Sequence, residues 1–118
     1  MKELMKKGLR FQYLHILESF FVASHKHYGE ILHGHNFRCR LKAELDRPEF
    51  NRVCFRQVIR SLDYQHLNRL PYFRRFTPST ENIAQFIAES MASLGCKVKE
   101  VEVFETEGFS GGVRICGS

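Results

Sequence analysis

The chain has 118 residues, of which 43% are hydrophobic and 26% are charged, so its composition excludes both an intrinsically disordered chain and a membrane protein. No apolar run reaches transmembrane length, and the start of the chain lacks the apolar core of a signal peptide. We therefore expect a cytoplasmic protein without a membrane partner. The length predicts one domain over residues 1–118.

The net charge of +5 suits either a nucleic acid or a phosphorylated small molecule. The basic residues are scattered and are not interleaved with aromatic residues, as they are in single-strand binders, so we expect a phosphate-bearing small molecule and no nucleic acid. A nucleic-acid or protein-interaction module is the weaker rival, and a steep salt dependence of RNA binding would indicate it. The four cysteines lack any Cys-x-x-Cys pair, which indicates reduced thiols that bind no metal.

The first half of the chain predicts a hairpin followed by a helix. Residues 20–25 and residues 33–45 have the pattern of strands, and residues 26–32 have the composition of the connection between them. Residues 53–62 carry apolar positions at helical spacing and predict a short amphipathic helix. Residues 67–72 are expected to form a loop.

The second half predicts a helix followed by another hairpin. A hydroxyl-bearing N-cap within residues 77–82 precedes an apolar stripe that ends near Gly95. Residues 98–105 alternate as a strand, and residues 111–115 are its expected partner. The order β-β-α-α-β-β predicts an α+β fold, in which two helices back an antiparallel sheet whose exposed edges favour oligomerisation.

Three histidines, His25, His33 and His35, are the strongest candidates for a metal site. Residues two apart on a strand point to the same face, so His33 and His35 can bind one ion, and the predicted hairpin brings His25 opposite them. Three histidines that leave a fourth position open are typical of catalytic zinc sites. The alternative is a group of surface or hydrogen-bonded histidines in a loop, which is common for an isolated His-x-His.

Five sequence motifs occur together in one order along the chain. They are Ala23-Ser24-His25, His33-Gly34-His35-Asn36-Phe37, Leu62-Asp63 followed by Leu67-Asn68, Pro78-Ser79-Thr80-Glu81-Asn82, and Phe104-Glu105-Thr106. On these motifs the chain resembles the 6-pyruvoyl-tetrahydropterin synthase family, which includes the 6-carboxytetrahydropterin synthases of queuosine biosynthesis. The resemblance implies a tunnelling fold, in which subunits form trimeric barrels that stack as homohexamers, with pterin sites at subunit interfaces.

The resemblance also implies roles within the site. Glu105 would anchor the pterin ring, since a carboxylate accepts two parallel donors from a guanidine-like edge. The implied ligands of Zn²⁺ are His25, His33 and His35. The other implied substrate-binding residues are Ser79, Thr80 and Thr106.

The chain departs from the family pattern where most members carry a cysteine. Gly29 and Glu30 stand there, and residues 30–35 match the Glu-x-x-His-Gly-His pattern of the group sometimes called type III. In that group the resemblance implies a zinc-dependent lyase of folate synthesis, which cleaves the side chain of 7,8-dihydroneopterin triphosphate to give 6-hydroxymethyl-7,8-dihydropterin. Glu30 is then the candidate general base, and a solvent-exposed loop carboxylate is the alternative reading.

A second departure concerns the acid of the reaction. The Asp-His pair of the family stands here as Asp63-Tyr64, and the first helix begins with Cys54-Phe55 where Asp-Phe is usual. Asp63 and His66 are the remaining candidates, and His66 has the alternative of a plain turn residue. Rival functions are 6-carboxytetrahydropterin synthase activity, 6-pyruvoyl-tetrahydropterin synthase activity, and a catalytically inactive zinc and pterin binder.

Overall fold

The structure is a computed structural model that describes residues 3–6, 8–26, 33–106 and 108–116, with the backbone alone at residues 3–6, 33 and 106. Within these ranges the chain forms seven strands, three α-helices and one 3-10 turn. The strands are β1 (Glu3–Lys6), β2 (Leu9–Gln12), β3 (Leu14–His25), β4 (His33–Glu44), β5 (Gln65–His66), β6 (Val98–Thr106) and β7 (Phe109–Arg114). The helices are α1 (Pro48–Leu62), α2 (Tyr72–Arg75) and α3 (Thr80–Ser93), and the 3-10 turn is Leu67–Arg69.

Five of the described strands form one sheet with the order β5-β3-β4-β6-β7. Its neighbouring strands pair antiparallel, except that the short β5 pairs parallel to β3. Strands β1 and β2 form a separate antiparallel hairpin. The mixed α+β fold with a mainly antiparallel sheet confirms the fold class that the sequence predicts.

One face of the five-stranded sheet is apolar because alternate residues of each strand point toward the helices. Phe21 of β3 and Phe37 of β4 are opposite each other, and their stacked rings have centroids 5.0 Å apart. Both side chains are buried in the core together with residues of α1 and α3. Burial stabilises a side chain of this size by about 1.5–3 kcal/mol, so this core fixes the sheet face on which the site is built.

The opposite face of the sheet carries charged side chains that pair across strands. Arg40 Nε lies 2.7 Å from a carboxylate oxygen of Glu18, and Glu100 pairs with Lys42 at 3.3 Å and with Arg114 at 3.0 Å. The hydrogen bond from Arg40 lowers the pKa of Glu18 below its usual value. Exposed pairs of this kind contribute little to the stability of a fold, so the charged side chains mainly keep this face of the sheet hydrated.

Helix α3 begins at the predicted N-cap. The Ser79 hydroxyl oxygen accepts a hydrogen bond from the backbone N–H of Asn82 at 3.2 Å. Strand β7 passes so close to this helix start that a Cβ at Gly111 would overlap the Thr80 hydroxyl, which explains the glycine there. Strand β7 therefore packs closely against the start of α3.

Several boundaries differ from the expectation. Strand β3 begins at Leu14, earlier than the predicted residue 20. The sequence pattern does not show this early start, because apolar residues such as the exposed Ile16 also lie on the outer face of the strand and hide the alternation. Helix α1 begins at Pro48, whose fixed φ suits the first turn of a helix. The expected loop over residues 67–72 is wrong, since Leu67–Arg69 is a 3-10 turn and α2 follows with Phe73 buried in the core.

The number of helices also differs from the expected two, because α2 adds a short third one among the described residues. No helix in the described ranges is both long and apolar enough to cross a membrane.

Candidate functional site

Three side chains converge at one end of the five-stranded sheet, on the face that packs against the helices. His25 is the last residue of β3, His35 lies on β4, and Glu105 lies near the end of β6. The register pairs His25 with His33 and Ala23 with His35, as the predicted hairpin requires. We call His25, His35 and Glu105 the histidine–carboxylate cluster.

The cluster has the dimensions of a metal site. Glu105 Oε1 lies 3.0 Å from His25 Nε2 and 2.8 Å from His35 Nε2. The candidate ligand atoms of the three residues all lie within 4.8 Å of one another. Imidazole nitrogens and carboxylate oxygens are both ligands that zinc accepts, at about 2.0–2.2 Å each. The donor set therefore fits a divalent cation of this kind.

The hydrogen bonds of His25 indicate which of its nitrogens faces the metal. Its Nδ1 lies 2.7 Å from the backbone carbonyl oxygen of Pro78, and a carbonyl can only accept, so Nδ1 carries the proton and donates it. In the neutral ring Nε2 then presents a lone pair to Glu105 Oε1, which is another acceptor. Two acceptors 3.0 Å apart repel each other unless a proton or a metal ion lies between them, and a metal ion can take this position. Metal-binding histidines commonly donate their other N–H to a carbonyl in this way.

Aromatic packing holds the two histidine rings. Phe37 is fully buried and meets His25 and His35 edge to face, with centroid distances of 5.3 Å and 5.7 Å. The two imidazoles are themselves 5.4 Å apart and nearly perpendicular. His25 is only 2% exposed, so its ring has little freedom to leave this position. An apolar floor thus supports a polar cluster, which lowers the local dielectric and strengthens its electrostatic interactions.

Some of the site residues predicted from the sequence lie outside the described part of the chain. Glu30 falls within residues 27–32, and the side chains of His33 and Thr106 are likewise outside it. Their roles stay predictions. The backbone register nevertheless pairs His33 with His25, in the same strand as His35.

Asp63 and His66 lie along the outer edge of β3. Asp63 Oδ1 accepts a hydrogen bond of 2.8 Å from the backbone N–H of Val22, and β5 pairs His66 with Ser24. Ser24 and His25 point to opposite faces of β3 because side chains alternate along a strand. The carboxylate of Asp63 therefore has a described structural partner, and its catalytic role stays a prediction together with that of His66.

Ser79 and Thr80 lie at the start of α3, next to the carbonyl that binds His25. The Ser79 hydroxyl is the helix N-cap, and Thr80 is buried beside Gly111. Pro78 connects this helix start to His25 through its backbone oxygen. These residues support the cluster from the helix side, and their contact with a substrate stays a prediction.

A cavity of about 540 Å³ has Glu105 of the cluster in its wall, while Asn36, Arg38 and Phe104 in the same wall lie on the charged face of the sheet. The ring of Phe109 also lines the cavity. The Arg38 guanidinium stacks over the Phe104 ring, 3.9 Å from its centroid, and one of its nitrogens lies 3.6 Å from Glu18. This volume is in the usual range for small-molecule sites, and aromatic walls with few charged groups suit a flat, polar ring.

Two buried thiols are unsuited to act as nucleophiles. Burial raises the pKa of Cys39 to about 12. Burial, together with a side-chain interaction with Cys54, raises the pKa of Cys96 to about 11. Since the thiolate is the reactive form, both stay protonated and inert at neutral pH. Neither thiol replaces the cysteine that the sequence lacks near residue 30.

Sequence reasoning did not anticipate that Glu105 contacts the histidines. The sequence does contain a sign of this contact. Val101, Val103 and Glu105 alternate along β6 and so share its inward face, where a carboxylate after two buried valines indicates a polar partner. The Pro78 carbonyl had no comparable signal, since it is a backbone group brought to His25 by the fold.

Comparison with known proteins identifies a family for the chain. The sequence profile of the 6-pyruvoyl tetrahydropterin synthase family matches residues 4–113. No curated protein matches the chain.

Solved structures share the fold at low sequence identity. The 6-pyruvoyl tetrahydropterin synthase of Caenorhabditis elegans has a TM-score of 0.74 at 18% identity, over 90% of this chain and 99% of that one. An uncharacterised Wolinella succinogenes protein has a TM-score of 0.68 at 21% identity, over 88% and 98%. The Plasmodium falciparum 6-pyruvoyl tetrahydropterin synthase has a TM-score of 0.57 at 17% identity, over 86% and 96%. The chain belongs to the 6-pyruvoyl tetrahydropterin synthase family.

Proposed function

We propose that the protein is a zinc-dependent pterin synthase that cleaves the side chain of 7,8-dihydroneopterin triphosphate to give 6-hydroxymethyl-7,8-dihydropterin. The proposed zinc ligands are His25, His33 and His35. The observation that carries the proposal is the convergence of His25 Nε2 and His35 Nε2 on one carboxylate oxygen of Glu105. The three groups are close enough to bind one metal ion, and family membership supports a pterin as the substrate.

Bound zinc would act as a Lewis acid that lowers the pKa of the substrate's side-chain hydroxyls, as it lowers that of bound water. Glu30 would take the proton from one hydroxyl. The bond between the first and second side-chain carbons would then break, and its electron pair would pass to the conjugated dihydropterin ring. The outer two carbons would leave as an aldehyde that carries the triphosphate, and an acid such as His66 or water would return a proton to the ring. A glutamate of ordinary pKa, about 4.3, is a weak base, so most of the activation falls to the Lewis acid.

Glu105 would hold the pterin ring beside the cluster. Its carboxylate borders the cavity of about 540 Å³, where two phenylalanine rings supply flat apolar contacts. Arg38 borders the same cavity and offers the positive charge that a phosphate-bearing substrate needs. Carboxylate, aromatic rings and guanidinium thus match the three chemical parts of the proposed substrate.

A protein of similar structure has a catalytic glutamate. Plasmodium vivax 6-pyruvoyltetrahydropterin synthase, with a TM-score of 0.51 at 19% identity, has been solved with a catalytic glutamate replaced by alanine or cysteine. A catalytic glutamate therefore occurs within this fold. The sequence pattern Glu-x-x-His-Gly-His supports Glu30 for that role here.

Product analysis by mass spectrometry tests the function. Purified protein loaded with zinc and mixed with 7,8-dihydroneopterin triphosphate should release 6-hydroxymethyl-7,8-dihydropterin. Glu30→Ala should retain zinc and pterin binding and lower turnover by about 10²-fold, the usual contribution of a general base.

Other products would overturn the proposal. Formation of 6-carboxytetrahydropterin or 6-pyruvoyl-tetrahydropterin would assign the protein to the other activities of the family. Binding without any product would identify a pterin binder without catalysis. Unchanged turnover in Glu30→Ala would remove Glu30 from the mechanism.

We further propose that the protein acts as a homohexamer built from two trimers. The outer face of β3 carries exposed apolar side chains, including Ile16 at 54% and Phe20 at 67% exposure. Strand β7 is at one edge of the sheet, and most of β3 has its outer edge uncovered by the two-residue β5. Unpaired edges beside apolar residues favour strand pairing between copies. Light scattering should give six times the chain mass of 13.9 kDa, and a monomer mass would contradict the assembly.

A further inference from the structure

Asn68 binds the backbone of Lys26 in the manner of a neighbouring strand. The Lys26 N–H donates to Asn68 Oδ1 at 2.7 Å, and Asn68 Nδ2 donates to the Lys26 carbonyl oxygen at 2.8 Å. One side-chain amide thus satisfies both polar groups of a single backbone residue, as a strand partner would. A paired amide in this geometry is not needed for the 3-10 turn in which Asn68 lies.

The bond pair lies directly after His25, at the place where β3 ends. Along one edge, β3 pairs with β4 up to His25. Along the other edge, β3 pairs with β5, and this pairing ends at Ser24 and His66, one residue before His25. The Asn68 side chain binds the next backbone position on this edge, Lys26, so that His25 lies between two hydrogen-bonded residues, Ser24 and Lys26. The end of a strand would otherwise fray.

A metal ligand tolerates little displacement, since a site works only when its ligands are held within about 0.5 Å of their productive positions. The His25 ring is fixed by the Pro78 carbonyl and by Phe37. On the edge away from β4, the backbone beside His25 is fixed by β5 and by the side chain of Asn68. The His25 ring and the His25 backbone therefore have separate supports, and Asn68 supports the backbone.

We propose that Asn68 is a positioning residue that holds His25 in the orientation required for metal binding. The proposal rests on the proposed function only in taking His25 as a metal ligand. Asn68 acts through the Lys26 backbone and touches neither the metal nor the substrate. Its loss should change the geometry and mobility of His25 before it changes the fold.

The test uses Asn68→Ala in the metal-free protein and then in the presence of Zn²⁺ or Co²⁺. In the metal-free protein, the Lys26 amide should exchange with solvent about 10-fold faster, which corresponds to the loss of a typical hydrogen bond. The nuclear magnetic resonance signal of the His25 Nδ1–H, which donates to Pro78, should broaden or exchange faster. The affinity for Zn²⁺ or Co²⁺ should fall about 10-fold, the low end for residues that orient a ligand.

Asn51→Ala is the matched control. The Asn51 side chain also donates to a backbone carbonyl, that of Asp46 at 3.1 Å, beyond the far end of β4 from the cluster. This variant should lose stability without altering the Lys26 amide, the His25 signal or the metal affinity. Asn68→Asp keeps an acceptor for the Lys26 N–H and loses the donor. Its Lys26 exchange rate and its metal affinity should therefore lie between those of wild type and those of Asn68→Ala.

Two results would overturn the proposal. A Lys26 amide as protected in Asn68→Ala as in wild type would show that the amide pair does not hold the backbone. An unchanged His25 Nδ1–H signal despite fast Lys26 exchange would show that the pair does not position His25. Failure of the wild-type protein to bind metal or to process a pterin would refute the proposed function, while both measurements on the metal-free protein would still decide the role of Asn68.

Discussion

Replacement of His25 with alanine is expected to remove the bound metal and to lower turnover by about 10³-fold or more. His25 is 2% exposed, and its Nε2 faces the cluster while Nδ1 donates to Pro78. The variant therefore lacks one of the three proposed zinc ligands. The loss of turnover follows from the several kcal/mol of charge stabilisation that a bound metal supplies to a transition state. Metal content by mass spectrometry and turnover of the same preparation measure both effects.

His15→Ala is the matched control for that experiment. His15 lies on the same strand, opposite Ala43 and ten residues from His25, so the same substitution is made away from the cluster. The control should bind metal with unchanged stoichiometry and retain its turnover. Metal bound at the wild-type ratio in His25→Ala would show that His25 is not a ligand.

Replacement of Glu105 with glutamine is expected to weaken pterin binding by about 10²-fold while the metal is retained. A carboxylate accepts two parallel donors from the pterin edge, whereas an amide offers a single oxygen and carries no charge. Hydrogen bonds to a charged group contribute about 1.5–3 kcal/mol each, and every 1.4 kcal/mol is tenfold in affinity. Titration with a non-reactive pterin, followed by fluorescence, measures this loss.

Metal content separates the two roles that the geometry allows for Glu105. Its Oε1 lies within 3.0 Å of both His25 Nε2 and His35 Nε2, so the carboxylate is also placed to bind a cation. If Glu105→Gln loses the metal together with pterin affinity, Glu105 is a metal ligand and not only an anchor. Unchanged pterin affinity would exclude the anchoring role. Glu102→Gln is a suitable control, because Glu102 lies on the same strand and bonds Ser110.

The sequence predicts the elements whose signals are local. The Ser79 cap and the apolar stripe after it identify α3, and the structure confirms the cap bond to Asn82. The composition of the segment between His25 and His33 predicts a hairpin, and the register pairs these two residues. In each case residues close together in the chain decide the local structure.

The elements that the sequence did not predict depend on distant contacts. The early start of β3 is hidden because Ile16 and Phe20 make its outer face as apolar as its inner one. Helix α2 is four residues long, which is too short for a helix to form by propensity alone, and Phe73 holds it in place by packing into the core. The contact of Glu105 with His35 requires the pairing of β4 with β6, which no short motif encodes.

The three residues of the cluster come from distant parts of the chain, which links ion binding to folding. His25 and His35 come from the first long hairpin, whereas Glu105 is 80 residues along the chain from His25. The three residues of the cluster can meet only after β6 has joined β4, so an ion that Glu105 bound together with the two histidines would favour the complete sheet over every partly assembled chain. At a free metal concentration of 100 times its Kd, such selective binding adds about 2.7 kcal/mol to the free energy of unfolding. An ion in this position would then stabilise the contact between the first long hairpin and β6 in addition to its proposed role in catalysis.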